Sequence, residues 1–268
     1  MTNSGYAPSG GAGIYYETEG EGPAILFIHA GVADSRMWER QMGIPGYRSI
    51  AFDQRGYGKT EWVDEPYANR TDALAVLDHL GVDEAVVVGC SNGGEAAMQL
   101  TLIAPERVAA LVLVGTAPRG WEPEGGWGDD PWWDETVAAF EAGDYDLSTE
   151  YEARVWLAGP SRSLDDVDPA LVSLFKAMDL IPQSTAVMRD AQVETLEPPT
   201  DVQLGRIVVP TLVVVGEHDL PDLRMAADYL AGRLSDRPPV VIAATAHLPS
   251  LERPNEFNAA LADFLAAT

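Results

Sequence analysis

Short apolar runs with no polar alternation constrain this chain more than any other feature. They are Ala24-Ile25-Leu26-Phe27-Ile28, Ser49-Ile50-Ala51-Phe52, Ala85-Val86-Val87-Val88, Ala110-Leu111-Val112-Leu113-Val114 and Thr211-Leu212-Val213-Val214-Val215. A half-solvated antiparallel strand alternates polar and apolar residues, whereas a parallel strand covered on both faces does not. Helical spacing recurs between the runs, with Ala73, Leu74, Val76, Leu77 and Leu80 inside Asp72 to Leu80, then in Gly94 to Ile103, Asp222 to Leu234 and Asn255 to Leu265. Ile14 to Thr18, after a Gly- and Ser-rich leader, and Val240-Val241-Ile242 add an early and a late strand. The alternation predicts an α/β chain with a mostly parallel, doubly wound central sheet flanked by helices.

The rhythm stops between Ala117 and Arg206, where no buried-strand run occurs and Trp121, Trp127, Trp132, Trp133 and Trp156 stand among many carboxylates. A stretch of about 90 residues far exceeds the ~12–15 beyond which structureless loops are uncommon. It is expected to be a mainly helical cap, residues 117–206, inserted into a core formed by 1–116 and 207–268. A chain of 268 residues accommodates both.

Composition narrows the partners. Seventeen Lys and Arg against 42 Asp and Glu give a net charge of -25, which repels nucleic-acid phosphates and anionic membrane surfaces. A small molecule is the expected partner, with no nucleic acid and no membrane. The single cysteine, Cys90, excludes an intramolecular disulfide and a Cys-rich metal site. The N-terminal residues lack the basic start and apolar run of a signal peptide, and no run reaches the ~18 apolar residues of a membrane span. A soluble, cytoplasmic protein is expected; oligomeric state leaves no signal in the sequence.

Chemistry concentrates in Val86-Val87-Val88-Gly89-Cys90-Ser91-Asn92-Gly93-Gly94, a strand, a sharp turn and a helix start. This is the G-x-S-x-G form of a nucleophile elbow. The serine occupies a strained turn, so the residues two positions away on either side must be small where strand and helix backbones crowd. Gly89 and Gly93 meet that need. Centring the motif on Cys90 instead would place Val88 and Asn92 at the glycine positions, so Ser91 is read as the nucleophile and Cys90 as a small core residue. The N-terminus of the following helix aims at the turn, which makes Asn92 N–H a donor to a developing oxyanion.

These features resemble the α/β-hydrolase superfamily over roughly residues 14–117 and 206–266. Phe27-Ile28-His29-Ala30-Gly31 is similar to the family's strand and HG-type loop, with Ala30 in place of the usual glycine. Asp34 and Trp38 fall where lactonase- and esterase-like members often carry them. Phe52-Asp53-Gln54-Arg55-Gly56-Tyr57-Gly58 is similar to the family's D-x-R-G-x-G segment, and Pro105-Glu106-Arg107-Val108 to its lead into the next strand. The resemblance implies Gly31 N–H as a second oxyanion donor. It places the triad histidine at His247, after the last strand and before the final helix. His29 and His79 are read as structural, and His218 as a loop residue. Gly216-Glu217-His218-Asp219 is similar to the family's acid turn and points to Asp219, with Glu217 and Asp222 as local competitors. The order Ser91, Asp219, His247 matches the chain order of this fold.

The reaction this implies is hydrolysis of a carboxylic ester or lactone of a small, largely apolar substrate through an acyl-enzyme, as in esterases and 3-oxoadipate enol-lactonases. No cofactor is required, and no metal-binding or phosphate-binding motif is present; Asp129-Asp130 and Asp165-Asp166 lack ligand spacing and read as solvated faces. The same triad also serves C–C bond hydrolysis, thioester hydrolysis, cofactor-free haloperoxidase or perhydrolase activity and lyase chemistry, and some members of the superfamily bind ligands without catalysis.

Overall fold

The computed structural model describes residues 2–128, 132–185 and 191–268. Eight strands form one sheet in the order β1-β2-β4-β3-β5-β6-β7-β8. They are β1 (Asn3–Ser9), β2 (Ala12–Glu19), β3 (Ala24–Ile28), β4 (Arg48–Phe52), β5 (Ala85–Cys90), β6 (Val108–Val114), β7 (Thr211–Gly216) and β8 (Val240–Ile242). From β4 to β8 all pairings are parallel; the β1–β2 hairpin joins antiparallel through β2 on β4.

Each apolar run divides its side chains between two cores. Leu26, Ile28, Val87, Leu111, Leu113, Val213 and Val215 face one side, with α1 (Asn69–His79), α2 (Asn92–Ile103) and α6 (Pro221–Leu234) packed over them. Ile25, Phe27, Val86, Val88, Val112, Val114, Leu212 and Val214 face the other, under α7 (Pro254–Leu265) and the 3-10 segment Ser35–Gln41. This double coverage is why the runs do not alternate.

The leader is a strand, which its glycine and serine content hides. β1 pairs with β2 along its whole length, Asn3 to Thr18 through Ser9 to Ala12. Ala7 is buried and the Tyr6 and Tyr15 rings meet edge to face at 5.4 Å. Gly10 and Gly11, at φ 40° and 76°, supply the hairpin turn. Backbone pairing here overrides weak strand propensity.

Between β6 and β7 the described residues form α3 (Trp133–Glu141), α4 (Tyr145–Glu152), a π-helical turn over Ala153–Ala158 and α5 (Pro169–Ser184). Asp144 and Asp168 cap α4 and α5 by accepting from Leu147 N and Ala170 N. Asp166, one of the paired carboxylates, closes a capping box with Ser163, whose N–H and hydroxyl both donate to it at 2.9 Å. Asp129-Asp130 lies outside the described residues. Leu157, Phe175 and Met178 of this insertion join the second core. Among the described residues no helix is long and apolar enough to cross a membrane.

One buried ion pair ties the hairpin to the loop after β4. Arg55 donates through Nε and Nη2 to Asp72 at 2.8 Å each, and also to Ser9 O, while Ser9 Oγ donates to Asp72 Oδ1 at 2.6 Å. The two side chains are 3% and 0% exposed. Asp72→Ala leaves the guanidinium charged and uncompensated, so urea denaturation is expected to show a loss of about 3–5 kcal/mol. A loss below about 1 kcal/mol would place the pair in the range of surface bridges.

Candidate active site

Ser91 stands between the end of β5 and the start of α2 at φ 54°, ψ −118°. Ser91 and Ala244 are the non-glycine residues at positive φ among those described. Such a conformation costs on the order of 1–3 kcal/mol and persists only where its surroundings over-determine it. Here Ser91 N donates to Val114 O at 2.9 Å, and Ser91 O accepts from Thr116 Oγ1 at 2.7 Å and Gly94 N at 2.9 Å. The flanking glycines are obligatory. A Cβ on Gly89 would lie 2.2 Å from Gly93 O, and one on Gly93 would lie 2.3 Å from Ile28 O. Ser91 is half-buried and makes no cap hydrogen bond to α2.

Cys90, beside it, is fully buried with Sγ 3.7 Å from His247 O. Burial pushes its thiol well above the ordinary value, with Asp219 adding in the same direction. A buried thiol with a raised pKa is inert, the reverse of a catalytic cysteine.

The ends of β7 and β8 bring Asp219 and His247 together. His247 Nδ1 lies 3.1 Å from both Asp219 Oδ1 and Oδ2, and both side chains are buried. Leu220 N donates to Asp219 Oδ1 at 2.9 Å and holds the carboxylate in place. The local competitors are engaged elsewhere: Glu217 accepts from Ala244 N and Asp222 from Gly128 N. His218 turns away to Ser161 Oγ at 2.7 Å, and His79 packs on Tyr16. Among the described residues no hydrogen bond joins Ser91 Oγ to His247; such links are often long without substrate and tighten when it binds.

Gly31 and Asn92 are neighbours. A Cβ on Gly31 would lie 3.8 Å from Asn92 Cβ. Among the described residues neither backbone N–H is taken up by a hydrogen bond, which leaves two donors beside Ser91. Ala30, at a family glycine position, has no positive φ and donates its N–H to Met37 Sδ at 3.4 Å.

His29 and Gln54 hold this loop. Gln54 N donates to His29 Nε2 at 2.9 Å, so the imidazole proton sits on Nδ1 and goes to Ala30 O at 2.8 Å. Burial lowers the His29 pKa, in keeping with this neutral tautomer. The Gln54 side chain donates to His29 O and accepts from Asn92 Nδ2, linking the loop to the elbow. Gln54 stands at a variable position of its motif, so residue type alone does not single it out.

Two further residues at the site escape sequence reasoning. Gly115, ending β6 at φ 50°, faces the dyad so closely that a Cβ would lie 3.0 Å from Asp219 Oδ2 and 3.1 Å from His247 Nδ1. Trp156, in the π-helical turn, packs its ring 4.6 Å from that of His247 and accepts His247 N–H at 3.1 Å. Its indole N–H donates to Glu152. Tryptophan richness marks the insertion but not which ring reaches the histidine.

The sequence profile of the alpha/beta hydrolase fold matches residues 23–254, and the chain belongs to that family. It is 26% identical over 266 residues to a pimeloyl-[acyl-carrier protein] methyl ester esterase of Photobacterium profundum, covering 94% of this chain and 98% of that protein. It is 27% identical to 3-oxoadipate enol-lactonase 2 of Acinetobacter baylyi, covering 92% and 91% of the two chains. The solved structure of Est816, an N-acyl homoserine lactone degrading enzyme, superposes with a TM-score of 0.75 at 28% identity, over 97% of this chain and 100% of that one. With esterases and lactonases as its relatives, the chain is a hydrolase.

The close packing at Gly115 makes Gly115→Ala a test of dyad geometry. The variant is expected to fold, with a left-handed penalty of about 1–2 kcal/mol, and to lose about 10²-fold in kcat as the dyad is displaced. Circular dichroism and steady-state kinetics separate the two effects. Cys90 is expected to resist iodoacetamide in the folded protein at mildly alkaline pH and to react in denaturant; ready alkylation of the native state would contradict its burial.

Proposed function

We propose that this hydrolase cleaves a carboxylic ester or lactone of a small, largely apolar substrate, with Ser91 as nucleophile, His247 as general base and Asp219 as the acid that orients it. The observation that carries the reading is a buried His247–Asp219 pair whose loop touches the residue next to a strained Ser91. Asp219 accepts from Nδ1–H, so Nε2 presents its lone pair for the serine proton and Asp219 stabilises the imidazolium that results.

Ser91 Oγ attacks the carbonyl carbon as its proton passes to His247 Nε2. Electrons move onto the carbonyl oxygen, which Gly31 N–H and Asn92 N–H receive. Collapse expels the alcohol, which takes the proton from His247, and leaves the acyl group on Ser91. Water then attacks, its proton moving to His247, and the acid departs as the proton returns to Ser91. In a lactone both products stay in one molecule. Every step runs on side chains and backbone amides of this chain, with no cofactor.

In this reading residues 117–206 act as a cap over the core of 1–116 and 207–268, and Trp156 brings that cap onto the base. The net charge of -25 favours neutral small molecules over polyanions, nucleic acid or anionic membranes as partners. A reducing, cytoplasmic setting suits a chain with one buried thiol.

A fluorophosphonate probe is expected to label the wild type and not Ser91→Ala. With p-nitrophenyl acetate, Ser91→Ala and His247→Ala should each lower kcat by on the order of 10⁶-fold, and Asp219→Asn by about 10⁴-fold. Undiminished turnover in Asp219→Asn and His247→Ala would overturn the triad, and absence of labelling in the wild type would favour ligand binding without catalysis.

A further inference from the structure

Tyr57 is clamped by its backbone. Tyr57 N donates to Gln54 O at 3.0 Å, Tyr57 O accepts from Thr60 N at 3.0 Å, and Gly56 N donates to Thr60 O at 3.1 Å, with Gly56 and Gly58 at φ 82° and 51°. Its ring packs on His29 at 5.1 Å. The residue therefore has little freedom, and its hydroxyl is delivered to one place. That place is beside Gly31: the space a side chain there would occupy is bounded by Asn92 Cβ at 3.8 Å and Tyr57 Oη at 3.9 Å.

Tyr57 is 9% exposed and, with Asn92, lines a cavity of about 490 Å³ that runs on past Tyr67 and Gln99 and whose lining includes neither Ser91 nor Gly31. Among the described residues its hydroxyl has no hydrogen-bond partner. The hydroxyl is not one of the fully enclosed polar atoms; it opens onto this cavity and is free to donate to a group bound there. Burial holds the phenol far above its ordinary pKa, with Tyr67, Asp179 and Glu152 acting in the same sense, so the group is a donor throughout the neutral range.

We propose that the Tyr57 hydroxyl is a third donor to the oxyanion formed on attack by Ser91, alongside Gly31 N–H and Asn92 N–H; this rests on the serine-hydrolase reading above. The hydroxyl then exchanges solvent for the carbonyl oxygen as charge develops on it. The step is a hydrogen bond and transfers no proton: Tyr57 keeps its proton through acylation and deacylation.

Tyr57→Phe tests this by deleting only the hydroxyl. With p-nitrophenyl acetate the expected result is a fall in kcat of about 10²-fold at unchanged KM, as for loss of one oxyanion donor. Affinity for a trifluoromethyl ketone, which forms a tetrahedral adduct with the nucleophile, should fall by the same factor. The melting temperature should not change, since the hydroxyl holds no partner in the fold. Unchanged kcat, a rise in KM alone, or a variant that fails to fold would each overturn the proposal. Ser91→Ala measured in parallel keeps the two readings apart: turnover in that variant would defeat the serine mechanism itself, whatever Tyr57→Phe does.

Discussion

A serine held at φ 54° and ψ −118° is unfavourable in isolation, and the arrangement around it consists of what makes that conformation the only one available. Gly93 lies where a Cβ would overlap Ile28 O and His29 O, so α2 starts in direct backbone contact with the end of β3. Gly89 meets Gly93 in the same way. This contact sets the distance between the elbow and the loop after β3, and therefore the distance between Asn92 and Gly31. The strain at Ser91 and the proximity of Gly31 to Asn92 share one cause, the close approach of three backbone segments that admit no side chain.

Parallel strands then collect the remaining groups. Every strand from β4 to β8 runs the same way, so the loops at their carboxyl ends gather on one edge of the sheet, as expected for an open α/β fold. Gly31, Gln54 and Tyr57, Ser91, Gly115, Asp219 and His247 leave successive strands on that edge. Hydrogen bonds among the loops convert proximity into fixed geometry. His29 and Gln54 lock two loops together, and Gln54 reaches Asn92 in the third. The neutral His29 tautomer is integral to that lock, because a proton on Nε2 would remove the acceptor for Gln54 N–H.

The segment between β6 and β7 reaches His247. Its π-helical turn is a conformation that occurs disproportionately at functional positions. Gly159, at φ 74°, ends this turn against His218 O, where a Cβ would lie at 2.1 Å. Trp156 contributes both a carbonyl to His247 N–H and a ring against its imidazole. Arg36, paired with Asp34 in the loop after β3, donates to Ala177 O in α5 and gives the insertion a second point of attachment. The dyad is thus buried by a segment anchored at several points.

The sequence alone determined the sheet, because strands covered on both faces must be continuously apolar, and it determined the elbow, because a strained serine between crowded backbones requires glycine at Gly89 and Gly93. On the strength of family resemblance it also set out Asp219 and His247, whose side chains meet in the structure. It did not reveal β1, whose glycine, proline and serines have weak strand propensity and which is held by pairing along its whole length with β2. Nor did it single out Gln54, Gly115, Trp156 or the Tyr57 hydroxyl. Their significance lies in what stands opposite them: a histidine from another loop, a carboxylate from another strand, an imidazole beneath an inserted turn. Local periodicity and turn chemistry are written in adjacent residues, and so are legible. Contacts between segments far apart in the chain, such as Trp156 on His247, exist only once tertiary packing has closed the distance between them.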